Sequence, residues 1–193
     1  MGELRVTGGM LRGRKILVPA RGEARYTSSK ARAAIFNLIG DVEGYDVLDL
    51  FAGSGSLSIE ALSRGARRAV CVEKERRMAE AIKENLNRLG LDKDCVVLNM
   101  DVIYALPALS RKGDTYDLIL MDPPYRQGLI QTTLRKLESQ PIYHEESILV
   151  IEHDRREPLP DISEGWNLIR QRQIGDTVIS FLTSKVPRPH PAG

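Results

Sequence analysis

Strand-length segments of almost continuous apolar residues alternate with helix-length segments through the middle of the sequence. A strand that is apolar on both faces is usually buried on both faces, as in a parallel sheet covered by helices. The pattern therefore predicts an α/β fold with a mostly parallel sheet. The predicted strands are Val47–Phe51, Ala69–Val72, Val96–Met100, Leu118–Met121 and Ile148–Glu152, and the predicted helices are Leu57–Arg64, Glu75–Leu89, Val102–Arg111 and Leu129–Glu138.

The N-terminal region departs from this alternation. Residues 3–18 predict a small β-hairpin with strands at 3–7 and 13–18, because Gly8-Gly9 is a turn signal between two short extended segments. A helix is expected to follow, capped by Ser28 or Ser29 and ended by Gly40.

The C-terminal region also differs, because two strand-like segments, Trp166–Ile174 and Thr177–Thr183, flank the hairpin signal Gly175-Asp176. We therefore expect an antiparallel hairpin to close the sheet. The whole chain is predicted to have three parts, namely a basic N-terminal hairpin arm at 1–25, one α/β domain at 26–185 and a frayed tail at 186–193.

The length of 193 residues suits one domain with a small appendage. No apolar run is long enough for a membrane-spanning helix, and the first residues lack the apolar core of a secretory signal. Cys71 and Cys95 lie inside apolar runs, which predicts buried, reduced thiols and no metal site. We expect a cytoplasmic monomer.

Positive charge is concentrated near the N-terminus. Residues 1–32 hold eight Lys or Arg and two Glu, a net charge of +6, whereas the other 161 residues carry a net charge of −4. A basic arm on a mildly acidic body indicates a polyanionic partner such as nucleic acid, although a basic, solvated terminus is the alternative. The side chains predicted to bind RNA are Arg5, Arg12, Arg14, Lys15, Arg25 and Arg32.

A glycine-containing turn, residues 49–55, follows the first apolar strand. Two glycines between a strand and a helix let the backbone approach a ligand closely. Glu73 ends the second strand, where an acidic side chain can hold ribose hydroxyls, and Asp101 follows the third, within reach of an adenine amino group. The glycines alone leave a nicotinamide, a flavin, S-adenosylmethionine or merely a tight turn open, but the three strand ends together favour an adenosine ligand. The predicted cofactor-binding residues are Asp49, Phe51, Ala52, Gly53, Gly55, Glu73, Lys74, Asp101 and Val102.

The fourth apolar strand ends in Asp122-Pro123-Pro124-Tyr125. The first and fourth strands of a doubly wound sheet flank the reversal of strand order, so this segment should meet the glycine loop. The prolines remove two N–H donors, which leaves the Pro123 carbonyl and the Asp122 carboxylate as acceptors beside the flat ring of Tyr125. These groups suit a planar amine, because they hold its hydrogens and stabilise positive charge developing on its nitrogen. The predicted catalytic residues are Asp122, Pro123, Pro124 and Tyr125.

Further short segments complete a recognisable pattern. They are Arg5-Val6-Thr7-Gly8-Gly9, Arg12-Gly13-Arg14, Ile35-Phe36-Asn37, residues 60–66, Val72-Glu73-Lys74, Glu152-His153 and Gly175-Asp176-Thr177. With the glycine loop and the Asp-Pro-Pro-Tyr segment, they resemble class I S-adenosylmethionine-dependent methyltransferases acting on amino groups. More narrowly, nearly the whole chain resembles the bacterial 16S rRNA guanine-N(2)-methyltransferase family (RsmD-type). The arm and the closing hairpin distinguish that family from DNA amine methyltransferases.

The resemblance implies a Rossmann-like, seven-stranded sheet with a reversed last strand, S-adenosyl-L-methionine as cofactor, and a guanine of 16S rRNA as target. It also implies a substrate that is an assembled or partly assembled small ribosomal subunit. Two positions depart from the family pattern: Tyr26 replaces a proline, and Ala33 stands where a glutamate is frequent.

Two other functions remain open at the level of sequence. An amine or amide methyltransferase could act on DNA adenine or on a protein glutamine, although the chain lacks an extra target-recognition domain. A non-catalytic RNA-binding module could retain the same fold, but the intact Asp-Pro-Pro-Tyr segment beside an intact glycine loop argues against it.

Overall fold

A computed structural model describes residues 2–19, 27–140, 142–159 and 165–185. Its strands are β1 (Gly2–Arg5), β2 (Lys15–Val18), β3 (Asp46–Asp49), β4 (Arg68–Val72), β5 (Cys95–Leu98), β6 (Leu118–Met121), β7 (Ile148–Asp154), β8 (Trp166–Ile174) and β9 (Thr177–Ser184). Its helices are α1 (Ser29–Ile39), α2 (Ser56–Ser63), α3 (Arg76–Leu89), α4 (Val102–Lys112) and α5 (Leu129–Glu138).

Within the described residues, seven strands form one sheet in the order β5-β4-β3-β6-β7-β9-β8. The strands from β5 to β7 are parallel, whereas β9 runs antiparallel to β7 and β8 antiparallel to β9. The predicted α/β fold and its closing hairpin are confirmed. The chain moves outward from β3 to β5 and then returns to β6, so the strand order reverses between β3 and β6. A ligand site is expected at this switch point.

Helices cover both faces of the sheet. Adjacent residues of a strand point to opposite faces, so they pack against different helices. Val47 packs with the helices α1, α2 and α3, and Leu48 packs with α4 and α5 on the other face. Both side chains are fully buried, and each contributes about 1.5–3 kcal/mol to folding by leaving water. Cys71 and Cys95 are buried free thiols, as predicted. No helix in the described segments is long and apolar enough to cross a membrane.

Two strands end earlier than the apolar pattern predicts. β3 stops at Asp49 instead of Phe51, and β5 stops at Leu98 instead of Met100. The apolar residues beyond these ends are Leu50, Phe51 and Met100, and they line a cavity at the edge of the sheet. Their hydrophobic character therefore serves a ligand site rather than a longer strand.

The N-terminal hairpin is docked on the domain. The backbone of Leu17 in β2 exchanges two hydrogen bonds with the Asn85 side chain of α3, at 2.9 and 2.7 Å. The turn is pressed against the end of α2, because the Met10 amide donates to the Ser63 carbonyl at 2.7 Å. Gly9 has φ +72°, and a Cβ there would lie 1.7 Å from the Ser63 carbonyl oxygen, so only glycine fits.

The strands of the hairpin are shorter than predicted. β1 ends at Arg5 instead of residue 7, and β2 begins at Lys15 instead of residue 13. Thr7 leaves the strand because its amide and hydroxyl both donate to the buried Glu60 carboxylate, at 2.8 and 2.6 Å. The long turn follows the contour of α2 instead of a tight β-turn.

Candidate active site

A cavity of about 360 Å³ opens at the carboxyl ends of β3, β4, β6 and β7. Its volume is within the range of small-molecule sites. The structure brings together most of the predicted cofactor-binding and catalytic residues in its wall. These are Phe51, Ala52, Gly53, Glu73, Lys74, Asp101, Val102, Asp122, Pro123, Pro124 and Tyr125.

The glycine loop forms one wall of this cavity. Gly53 and Gly55 have φ values of +52° and +71°, and the Gly55 amide donates to the Ala52 carbonyl at 2.6 Å. These left-handed conformations favour glycine and turn the chain sharply into α2. Gly55 itself does not line the cavity, because it caps the helix and faces Ile82, 3.0 Å from where a Cβ would lie.

Glu73 holds the glycine loop in place. One carboxylate oxygen accepts the Gly53 amide at 2.8 Å, and the other accepts the Glu75 amide at 2.7 Å. Each carboxylate oxygen can accept a second hydrogen bond, so these contacts are compatible with ribose binding. Asp101 caps α4 by accepting the Ile103 amide at 3.1 Å, and it faces the same cavity.

Asp49 is the last residue of β3 and does not line the cavity, whose wall begins with the next residue, Leu50. The side chain is fully buried, and its Oδ2 accepts the Ser58 hydroxyl at 3.0 Å. Its Oδ1 has no hydrogen-bond partner among the described residues. Burial raises the pKa of Asp49 to about 7, and the negative charge of Asp122 adds to the effect.

Asp122 directly follows β6, and its carboxylate is the group that the sequence predicts to hold a planar amine. Its Oδ2 accepts the hydroxyl of Thr27 at 2.6 Å, which leaves Oδ1 for a substrate. Burial raises the pKa of Asp122 to about 6, while the hydrogen bond from Thr27 opposes the rise. The carboxylate is therefore largely ionised at neutral pH and can accept an amine hydrogen.

Tyr125 is held through its hydroxyl as well as its ring. The hydroxyl lies 3.2 Å from Glu152 Oε1 and 3.2 Å from Thr177 Oγ1, at the ends of β7 and β9. Burial raises the pKa of Tyr125, so the phenol stays protonated and can donate. This anchor joins residues far apart in the sequence, so the Asp-Pro-Pro-Tyr segment alone predicts the ring face but not the hydroxyl contacts.

For the methyl transfer that the sequence resemblance implies, we expect Tyr125→Phe to lower the rate about 3- to 10-fold, since the ring stays in place but loses the anchoring contacts of its hydroxyl, each worth about 0.5–1.5 kcal/mol. Tyr125→Ala should lose more, because base stacking contributes about 1–3 kcal/mol. Single-turnover rates for both variants check this ordering. Thr177→Val is the matched comparison, because it keeps the tyrosine and removes only one partner of its hydroxyl, so its loss should not exceed that of Tyr125→Phe. A fully active Tyr125→Phe would show that the hydroxyl contacts have no role in the reaction.

The predicted RNA-binding residues do not all lie on one surface. Arg5, Arg12, Arg14 and Lys15 are exposed on the hairpin, where Lys15 also pairs with Glu3 at 3.0 Å. Arg25 lies outside the described residues.

The prediction that Arg32 binds RNA is wrong, because its side chain is fully buried and forms an ion pair with Glu60 at 3.4 Å. A signal was present in the sequence: Arg32 is three and four residues before Ile35 and Phe36, on the apolar face of α1. In the described segments, no group of three or more His, Cys, Asp or Glu side chains could hold a metal ion.

A protein-family model described as "conserved hypothetical protein 95" matches residues 4–183. The chain belongs to this family. Ribosomal RNA small subunit methyltransferase D of Escherichia coli K12 is 34% identical over 175 residues, which cover 90% of this chain and 86% of that protein. Ribosomal RNA small subunit methyltransferase D of Haemophilus influenzae is 29% identical over 182 residues, covering 93% and 92% of the two chains.

A solved structure of the protein yhhF from Escherichia coli superposes with a TM-score of 0.85. It is 30% identical and covers 96% of this chain and 99% of that one. The similarity therefore extends over the N-terminal hairpin, the sheet and the closing hairpin together.

Proposed function

We propose that this protein is an S-adenosylmethionine-dependent methyltransferase that methylates the 2-amino group of a guanine in 16S rRNA. The observation that carries the proposal is one cavity walled by the glycine loop, by Glu73 and by the Asp122–Tyr125 segment. The names of the Escherichia coli and Haemophilus influenzae relatives support a small-subunit rRNA substrate.

The residues in the cavity fit the proposed cofactor. The open backbone at Gly53, where a Cβ would meet no atom closer than 3.9 Å, gives room for a close ligand approach. Glu73 offers acceptors for ribose hydroxyls, and Asp101 offers one for an adenine amino group. When bound, S-adenosylmethionine would supply a methyl group carried on a positively charged sulfur. After transfer of the methyl group, that sulfur is a neutral thioether.

Asp122 and Pro123 hold the amine that is to be methylated. The lone pair of a guanine 2-amino nitrogen is delocalised into the ring, so the nitrogen is a weak nucleophile. Two acceptors on its hydrogens favour a pyramidal nitrogen whose lone pair can form the new bond to the methyl carbon. As that bond forms and the carbon–sulfur bond breaks, the nitrogen becomes positive and then loses a proton, which the Asp122 carboxylate can accept.

Tyr125 provides the stacking face for the base, and its hydroxyl anchor fixes the plane of that face. A target base must leave its own stack to enter such a cavity, and an aromatic platform offsets part of that cost. Lys74 lines the same cavity.

We further propose that the enzyme acts as a monomer on an assembled or partly assembled small subunit.

Transfer of labelled methyl from S-adenosylmethionine to four substrates tests the proposal. Small ribosomal subunits and total RNA from cells lacking this activity should accept label, whereas DNA and protein should not. Label in DNA adenine or in a protein glutamine would favour the alternative amine methyltransferase. No transfer to any substrate, with RNA binding retained, would favour a non-catalytic RNA-binding module.

We also propose that the exposed hairpin side chains bind RNA phosphates. Removing one cationic side chain that binds a phosphate should flatten the salt dependence of log affinity by about 0.7–0.9. The double variant Arg12→Gln, Arg14→Gln should therefore show a shallower slope and unchanged cofactor affinity. Deleting the hairpin is a poorer test, because it would expose the core at Val6 and Ile16.

The matched control removes the same charge elsewhere, through Arg111→Gln and Lys112→Gln at the end of α4. Binding of a labelled small-subunit RNA fragment, measured across a salt series, compares the two double variants. If both flatten the slope equally, RNA binding at the hairpin is only a general charge effect.

A further inference from the structure

A chain of buried and partly buried hydrogen bonds connects the N-terminal hairpin to Asp122. Arg32 donates from Nη2 to the backbone carbonyl of Arg5 at 2.6 Å and from Nη1 to the backbone carbonyl of Thr27 at 3.2 Å. Thr27 in turn donates its hydroxyl to Asp122 at 2.6 Å. Three segments that are distant in sequence therefore meet through one guanidinium and one hydroxyl.

Glu60 fixes the orientation of that guanidinium. Its carboxylate is fully buried in α2, pairs with Arg32 Nε at 3.4 Å, and also accepts from Arg64 Nε at 2.9 Å. Thr7 of the hairpin donates to both of its oxygens. A buried guanidinium with several fixed acceptors has a single orientation, because its donors form a rigid fork.

We propose that Arg32 and Thr27 are positioning residues: Arg32 places Thr27 so that its hydroxyl orients the Asp122 carboxylate toward the target amine. This inference rests on the proposed methyltransferase function. Thr27 precedes the helix cap Ser28, so the helical hydrogen bonds of α1 do not fix its backbone. The contact from Arg32 to the Thr27 carbonyl supplies that restraint, and the bond to Asp122 Oδ2 directs Oδ1 into the cavity.

The same chain links RNA binding to the catalytic carboxylate. The Arg5 carbonyl that accepts the hydrogen bond from Arg32 belongs to β1, and the exposed side chain of Arg5 is one of those proposed to contact phosphates. Movement of the hairpin on the domain would disturb Arg32 first and Thr27 next. The reaction should therefore be fastest when the hairpin is firmly docked.

The pKa of Asp122 depends on the titratable groups around it and on the Thr27 hydroxyl, so a change in that pKa reports a change in these contacts. Asp49 of β3 interacts with it through space, Glu73 directly after β4 adds negative charge near Asp49, and the neutral phenol of Tyr125 lies on the same segment. Burial raises the pKa of Asp122 to about 6, and the Thr27 hydroxyl is the group that lowers it. Loss of that hydroxyl must move the titration to higher pH.

The first test compares Thr27→Val with Thr27→Ser. Valine keeps the shape without the hydroxyl, so we expect a single-turnover rate about tenfold lower at pH 7 and an acid limb shifted upward by about one pH unit. Serine keeps the hydroxyl and should restore most of the rate and the position of the limb. Equal loss in both variants, with no shift of the limb, would overturn the role of Thr27.

The second test is a double-mutant cycle. Arg32→Met should slow single turnover and shift the acid limb in the same direction, but should add little in the Thr27→Val background, because it acts through Thr27. Arg64→Gln is the matched control, since it disturbs the same Glu60 cluster without touching the Thr27 carbonyl, and should leave the limb in place. Additive losses for Arg32 and Thr27 would contradict the proposal.

Arg32→Lys replaces Arg32→Met if the methionine variant does not fold, because lysine keeps a charge beside Glu60 without the two-sided fork. NMR titration of the Asp122 carboxyl in the cofactor-free protein gives a readout that does not require catalysis. An inactive wild-type protein would contradict the proposed function. An Asp122 titration unmoved by Thr27→Val and by the Arg32 variant would instead contradict this inference alone.

Discussion

Replacing Asp122 by alanine is expected to slow methyl transfer about 100- to 1,000-fold, if the carboxylate acts with the strength of one preorganised charge-stabilising group. The interaction strengthens only as the amine nitrogen becomes positive, so the loss should fall on turnover and much less on RNA affinity. Asp122→Asn keeps an acceptor oxygen without the charge and should retain an intermediate rate. Single-turnover methylation at saturating cofactor, with the RNA concentration varied, separates these effects.

Cofactor affinity is the control for that experiment, because Asp122 is assigned to the amine and not to the adenosine. It should stay near the wild-type value in both variants. An Asp122→Ala protein with near-normal turnover, or one that has simply lost cofactor binding, would remove Asp122 from the chemical step.

Asp49 is expected to make the cofactor-free protein less stable as the pH rises. Its pKa is raised to about 7 in the folded protein by burial, whereas an unfolded aspartate has a pKa near 3.9. Such a group stabilises the folded state fully below the unfolded pKa, and this stability is lost as the pH rises through the folded pKa. The free energy of unfolding should therefore fall by up to about 4 kcal/mol from this group between pH 4 and pH 8.

The Asp49→Asn variant checks this assignment. An amide of the same shape cannot ionise, so the upper part of the pH dependence should disappear while the lower part, to which Asp122 contributes, remains. Urea unfolding at a series of pH values measures the difference. A wild-type stability that rises from pH 5 to pH 8, or an unchanged profile in Asp49→Asn, would show that Asp49 is not the group responsible.

The fold could be predicted from the sequence because its strongest signals are local. Strands that are buried on both faces, such as Leu118–Met121, are apolar throughout, and α5 begins and ends where the pattern predicts. The position of Asp122 beside the glycine loop followed from the order of strands in doubly wound sheets. The α1 helix was also placed correctly, with Ser28 as its cap.

The parts of the site that the sequence did not predict depend on contacts between distant segments. Thr27 meets Asp122 across 95 positions, and Tyr125 meets Thr177 across 52. Net charge alone predicts Arg32 at the RNA surface; its spacing from Ile35 and Phe36 indicates the apolar face of α1, but its partner Glu60 lies on α2. Neither residue type nor local spacing specifies such partners, since each depends on how helices and strands pack in three dimensions.

Nucleoside analysis of small-subunit rRNA after reaction with labelled S-adenosylmethionine shows directly whether this protein methylates the 2-amino group of a guanine through Asp122. We expect label in 2-methylguanosine, formed by the wild-type protein and almost absent with Asp122→Ala. Label confined to a methylated adenosine, to a ribose or to protein, or equal label with Asp122→Ala, would contradict it.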